Sequence, residues 1–231
     1  MLDPETGSGE EEAMNRSGAD ILWEVASVLA RDAAKVSRAA GRPGLNLPPL
    51  LFFTDPERTP RPWETAARLP AGAGVVFRPF GAANALDTAL RLREATRRGD
   101  GLLLIGLDAE LAEAVEADGV HLPERALDRA SELAARRPDW RITGAAHSAD
   151  SLASLAAADA AVLSPVFPAG GASAGRAPLG LERFRSLAHG APVPVYALGG
   201  VDELNARDLI GSGACGLAGV SAIQAAFGPE S

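Results

Sequence analysis

Cysteine is almost missing from this chain: Cys215 is the only one in 231 residues. No intramolecular disulfide can form, which suits a reducing compartment. Cys215 lies among strand-forming residues, where a thiol serves as a small buried hydrophobe. Aromatic residues make up only 5%, so any core has to be aliphatic. No apolar run approaches the ~18 residues that would read as a membrane span, and no basic stretch leads into a short apolar one as in a secretory signal. The chain therefore reads as cytoplasmic, with no membrane role. Clustered cations are also lacking: 22 Lys and Arg face 30 Asp and Glu, for a net charge of −8. That balance argues against nucleic acid as a partner, because phosphate neutralisation needs grouped Lys and Arg.

The acidity is uneven. Asp3, Glu5, Glu10, Glu11, Glu12 and Asp20 stand against Arg16 alone, so residues 1–20 carry most of the imbalance. Residues 1–19 read as an acidic, disordered tail. From Asp20 to Ala40, Ile21, Leu22, Val25, Val28 and Leu29 recur at helical spacing opposite Arg31, Asp32, Lys35 and Arg38, which predicts one amphipathic helix. It packs on the body of the same chain or serves a partner, and an apolar stripe left exposed on it would permit a homodimer. Gly41–Pro49 has enough Gly and Pro to stop the helix, so residues 20–49 form an added helix with its linker.

A regular alternation begins at Leu50. Strand-like runs fall at 50–53, 74–78, 102–106, 119–122, 142–146, 160–164, 194–198 and 216–220, separated by helical stretches at 63–69, 82–98, 108–117, 126–137, 149–158, 179–188 and 203–211, with a short one near 222–227. Most strands are continuous apolar runs, as strands buried on both faces of a parallel sheet require. Eight such units predict an α/β fold, a single (β/α)8 TIM barrel over residues 50–231 with an extra N-terminal helix. An open doubly wound sheet would carry its glycine fingerprint after the first strand, and TDPERTP stands there instead.

Function in such a barrel sits at the C-terminal strand ends. Gly199 and Gly200 follow the seventh strand, and Val220 and Ser221 close the eighth. Small residues before a helix turn amide N–H groups outward, and two such turns in succession suit a phosphate; the competing reading is that the glycines only permit tight turns. His147 ends the fifth strand after Gly144-Ala145-Ala146 and before Ser148, a helix cap. It is the candidate acid/base, the alternative being a structural histidine bonded to a backbone carbonyl. His121, between Val120 and Leu122, reads as structural, and His189 as exposed. Arg78 could hold a phosphate or carboxylate, or pair with a strand-end acid. Ser164 is a weaker substrate-binding candidate, Thr54 and Asp55 end the first strand, and Pro168–Pro178 is a lid or a flexible crossover.

ADGVHLP (117–123), AAHS (145–148), SPVFP (164–168), ALGGV (197–201) and GVSAI (219–223) together resemble the thiamine-phosphate synthase/TenI family over about Leu50–Phe227. The resemblance implies a small phosphorylated heterocycle as ligand. Synthases of that family join a pyrimidine diphosphate to a thiazole phosphate with magnesium, and this chain departs from their pattern. Their Gln-x-Arg-x-Lys after strand 2 is here Val76-Phe77-Arg78-Pro79-Phe80. Their Asn-Asp after strand 3 is Gly106-Leu107, and the later Asp falls in Pro123-Glu124-Arg125-Ala126. Their Thr-x-Thr-Lys loop is Ala169-Gly170-Gly171-Ala172, and the Ser two places before the strand-5 His is Ala145. What remains resembles the metal-independent TenI thiazole tautomerases, implying no metal and no cofactor, with His147 as acid/base. Two alternatives stand beside it: a divergent magnesium-dependent synthase, and a non-catalytic protein that binds a phosphorylated ligand.

Overall fold

The computed structural model describes residues 16–39, 46–171 and 174–229. The predicted disorder of the tail falls outside these for residues 1–15, as do residues 40–45 of the linker and 172–173 of the loop after the sixth strand.

Eight parallel strands close on themselves in chain order: β1 (Leu50–Phe53), β2 (Gly74–Phe77), β3 (Leu102–Gly106), β4 (Gly119–Leu122), β5 (Arg141–Ala146), β6 (Ala160–Leu163), β7 (Val195–Leu198) and β8 (Ala214–Gly219). β1 pairs with β2 through Leu51↔Gly74 and with β8 through Leu50↔Leu217, which seals the barrel. Successive residues on a strand point to opposite faces. Leu51, Phe53, Val76, Leu104, Val162, Tyr196 and Cys215 therefore pack together in one core cluster, while Leu50, Phe52, Val75, Phe77, Leu103 and Ile105 join the helices in another. The TIM barrel expected from the apolar runs is the fold observed.

The helices are α1 (Gly18–Ala39), α2 (Pro62–Ala66), α3 (Ala85–Arg98), α4 (Ala109–Ala114), α5 (Ala130–Arg136), α6 (Ala149–Ala153), α7 (Gly180–Gly190) and α8 (Ser221–Phe227). Several are shorter than the sequence predicts. The helical stretch at 203–211 is only a 3-10 turn, Ala206–Leu209. Asp202 Oδ1 accepts from the Leu204 and Asn205 amides, and Asn205 Oδ1 accepts from the Asp202 amide. These side-chain bonds compete with helical ones. The stretch at 126–137 divides into a 3-10 segment, Glu124–Arg129, kinked at Ala126 where φ/ψ leave the helical region, and α5. β8 begins at Ala214 rather than 216, since a bulge shifts its register against β7 between Val195 and Tyr196. It ends at Gly219, so Val220 is the residue preceding α8 and Ser221 its first residue.

The weak crossover from β7 to β8 leaves the outer face of β8 to be covered by something else. α1 covers it, contacting β8 most extensively and also β1, α8 and the 206–209 turn. Leu22, Val25, Ala26 and Leu29 are buried in the outer core. Of the stripe that, left exposed, would permit a homodimer, Leu22, Val25 and Leu29 are buried within the chain and Ile21 and Val28 are partly buried. None of the described helices is long and apolar enough to cross a membrane.

Candidate active site

The strand ends bring the predicted residues to one mouth, in two linked groups. His147 follows β5, and its backbone is fixed by Ser151 Oγ, which accepts from the amides of His147 (2.9 Å) and Ser148 (3.0 Å). Ser148 caps α6 by accepting from the Ser151 amide. The imidazole Nδ1 lies 2.6 Å from the backbone oxygen of Ser164 and 3.3 Å from its hydroxyl. A carbonyl only accepts, so Nδ1 carries the hydrogen and Nε2 is left as the acceptor. The carbonyl bond weighed for a structural histidine is therefore present, and the same bond sets the tautomer that a base requires.

Ser164 is buried and leads into Pro165. A Cβ on Gly199 would lie 2.7 Å from Pro165 Cα, and one on Gly200 would lie 2.4 Å from the Pro168 oxygen. Both glycines have positive φ, +96° and +68°. Backbone geometry alone therefore accounts for both glycines. The turn is further held by Val166 N donating to Leu198 O, Phe167 N to Gly199 O and Asn205 Nδ2 to Gly200 O. The amides of Gly199, Gly200, Val220 and Ser221 donate to no protein acceptor among the described residues. They lie at the ends of the paired strands β7 and β8.

The second group belongs to β1, β2 and β4. Arg78 Nε donates to Thr54 O (2.7 Å), and Thr54 Oγ1 accepts from the Arg78 amide (3.0 Å). Arg78 Nη2 is buried without a hydrogen-bond partner and stands 3.6 Å from Asp55 Oδ2, the strand-end acid that the pairing alternative requires. The guanidinium lies between the rings of Phe53 and Phe80, 5.6 and 5.1 Å from their centroids. Burial lowers its pKa, the Asp55 charge opposing. His121 points into the barrel, its Nδ1 2.9 Å from Thr143 Oγ1 and its ring edge-on to Phe53. Burial, and secondarily the charge of Arg78, push its pKa down to about 3. Cys215 is buried, and burial raises its thiol pKa. His189 is exposed and bonded to Arg185 O.

One charged residue of the mouth was not singled out by sequence reasoning. Arg58, in the loop after β1, donates from Nη2 to Asp55 Oδ2 (2.8 Å) and from Nη1 to Ser221 Oγ (3.3 Å). Its side chain holds the Asp55 carboxyl below the usual carboxylate range, against the opposing effect of burial. The only signal in the sequence was a cation within TDPERTP; the fold supplies its contact 163 residues away.

The positions at which the resemblance places the synthases' magnesium ligands keep little of that ligand set here. β3 ends in Gly106 followed by Leu107, Glu124 stands alone, and Asp55 is engaged by two arginines. Among the described residues, no three His, Cys, Asp or Glu converge. Magnesium held partly by substrate phosphate needs one or two protein carboxylates, and at these positions Glu124, beside Arg125, is the one acid retained.

Comparison with known proteins gives this geometry a family. Residues 54–223 match the family described as thiamine monophosphate synthase (TMP-TENI). The chain is 34% identical over 144 residues to a thiamine-phosphate synthase of Chloroflexus aurantiacus, covering 61% of this chain and 66% of that one. It is 39% identical over 146 residues to a thiamine-phosphate synthase of Gloeobacter violaceus, covering 62% and 42%. The matched stretch thus spans less than two thirds of either relative. Among solved structures, the thiamine phosphate pyrophosphorylase of Pyrococcus furiosus superposes with a TM-score of 0.65 at 25% identity, covering 78% of this chain and 91% of that one. FabK from Thermotoga maritima, at 14% identity and a TM-score of 0.58, shares the fold alone. With the family match extending over well more than half its length, this chain belongs to the thiamine monophosphate synthase family.

Proposed function

We propose that this barrel binds a thiazole phosphate and moves a proton on its ring, with His147 as acid/base and no metal in the step. The phosphate lies against Gly199, Gly200, Val220 and Ser221, whose amides lack protein acceptors among the described residues and can serve an anion at the strand ends. His147 Nε2 accepts a proton from the ring and returns it at another position, so that the ring tautomerises with no net change in atoms. The observation that carries this reading is the link through Ser164. Its carbonyl orients His147 at 2.6 Å, and the next residue, Pro165, packs on Gly199 of the phosphate turn. The proton-transfer group and the anion group are thereby held in one rigid frame. Phe80, at the position of the synthases' Lys, stacks on Arg78 and leaves that side of the mouth poorer in phosphate-binding charge.

The names of the relatives favour a second reading, a divergent thiamine-phosphate synthase. It requires magnesium-dependent joining of a pyrimidine diphosphate to the thiazole phosphate. Thermal unfolding separates the two readings. A ligand at 100 times its Kd adds about 2.7 kcal/mol to stability. Under the tautomerase reading, thiazole phosphate raises Tm equally with magnesium or with a chelator, and a pyrimidine diphosphate does not. A shift by the pyrimidine diphosphate that needs magnesium, with thiamine phosphate formed on mixing, would replace it by the synthase reading.

A further inference from the structure

Arg58, in the loop after β1, reaches the start of α8 behind the neighbouring strand β8 and the loop after β6. Its Nη1 donates to Ser221 Oγ and its Nη2 to Asp55 Oδ2. Its guanidinium also fills the space beside Gly171: a Cβ there would lie 2.7 Å from Nη2 and 2.8 Å from Cζ. Gly171 has φ +62°, so its backbone favours glycine, and the guanidinium lies in the space that glycine leaves. The guanidinium has five N–H donors, and two are engaged by the described residues. The side chain remains 30% exposed at the mouth. Asp55 is shared, lying 2.8 Å from Arg58 and 3.6 Å from Arg78. Two guanidinium charges thus face one carboxylate, and this corner keeps a net positive charge.

We infer that Arg58 is the side-chain ligand of the phosphate proposed to lie on the Gly199–Gly200 and Val220–Ser221 turns, with Asp55 as its positioning residue. The inference rests on that phosphate reading and adds the cation that the turns themselves do not provide. The ligand is a phosphate monoester dianion. It accepts from the free N–H groups of Arg58 on one side and from the turn amides on the other, which a planar fork suits better than an ammonium group. Arg58 occupies the place that a side chain at position 171 would take, so a loop reduced to Ala169-Gly170-Gly171 still has a phosphate donor beside it.

Inorganic phosphate, titrated calorimetrically into the full-length chain, is the probe, with Arg58→Met, Arg58→Lys and Ser221→Asp as variants and Tm recorded with and without phosphate. The expected result is binding to wild type, loss in Ser221→Asp, weakening of about tenfold or more in Arg58→Met, and an intermediate effect in Arg58→Lys. Arg58 as a mere clasp between loops would lower Tm in Arg58→Met while leaving phosphate affinity and the phosphate-induced Tm increment unchanged; that result overturns the inference and leaves the phosphate site standing. Binding that survives Ser221→Asp, or no binding to wild type, overturns the phosphate reading and the inference with it. Should Arg58→Met fail to fold, wild-type affinity in Arg58→Lys would still overturn the requirement for the fork.

Discussion

His121 and His147 lie at neighbouring strand ends and meet opposite conditions. His147 is half-buried and oriented by a carbonyl, whereas His121 is 6% exposed beside Phe53 and Thr143, with the Arg78 charge nearby. Its pKa is pushed down from 6.5 to about 3. As pH falls below 6.5 the unfolded chain takes up a proton that the folded chain refuses until about pH 3. The neutral ring's full contribution is therefore present above pH 6.5 and is lost as the pH falls towards 3. Urea unfolding between about pH 4.5 and 7 should show wild type losing stability more steeply than His121→Gln, by up to about 1.4 kcal/mol per pH unit; equal slopes would show that the ring is not held neutral. At this scale the sequence was informative where a residue's role follows from its position on a strand. His147 follows β5 and Ser148 caps α6, and both are readable from local order. Arg58 was not, because its meaning depends on Ser221 and Gly171, which only the closed barrel brings near.

Among the elements, the strands were legible and the helices less so. A continuous apolar run has one good burial mode in a parallel barrel, and LLFF, LLLIG and GVHL became β1, β3 and β4 with the predicted bounds. The stretch at 203–211 stays a short 3-10 turn where the side chains of Asp202 and Asn205 bond to nearby backbone amides in place of helical bonds. The placement of α1 was also hidden, since nothing local says that the β7–β8 crossover leaves a face open. Leu29 is 2% exposed on that face. Leu29→Ala should cost about 2–5 kcal/mol in chemical denaturation, and a change within about 0.5 kcal/mol would mean that α1 does not complete the barrel wall. The turn after β7 is as constrained. Gly200→Ala combines φ +68° with a Cβ 2.4 Å from the Pro168 oxygen, so it should destabilise by more than about 1 kcal/mol, read as a lower denaturation midpoint. An unchanged midpoint would mean that the turn is not packed on the 165–168 segment.

For the whole molecule, the barrel divides its mouth into two halves with different character. Between β5 and β8, His147, Ser164 and the turn amides form a connected polar frame. On the β1–β4 side, Phe53 and Phe80 stack on Arg78, whose charge acts on His121. The motif order made the family legible, because a closed barrel fixes which strand ends become neighbours. The chemistry was less legible, since the similar proteins carry the name of a synthase while this chain departs from the synthase pattern at several strand ends. The measurement that tests the central claim most directly is turnover of a non-aromatic thiazole phosphate tautomer, followed by NMR in the presence of a chelator, with wild type and His147→Ala. The proposed mechanism predicts conversion by wild type without metal, and loss of conversion with retained phosphate-ligand binding in His147→Ala. No metal-free conversion by wild type, together with thiamine phosphate formed once magnesium and the pyrimidine diphosphate are added, would contradict it.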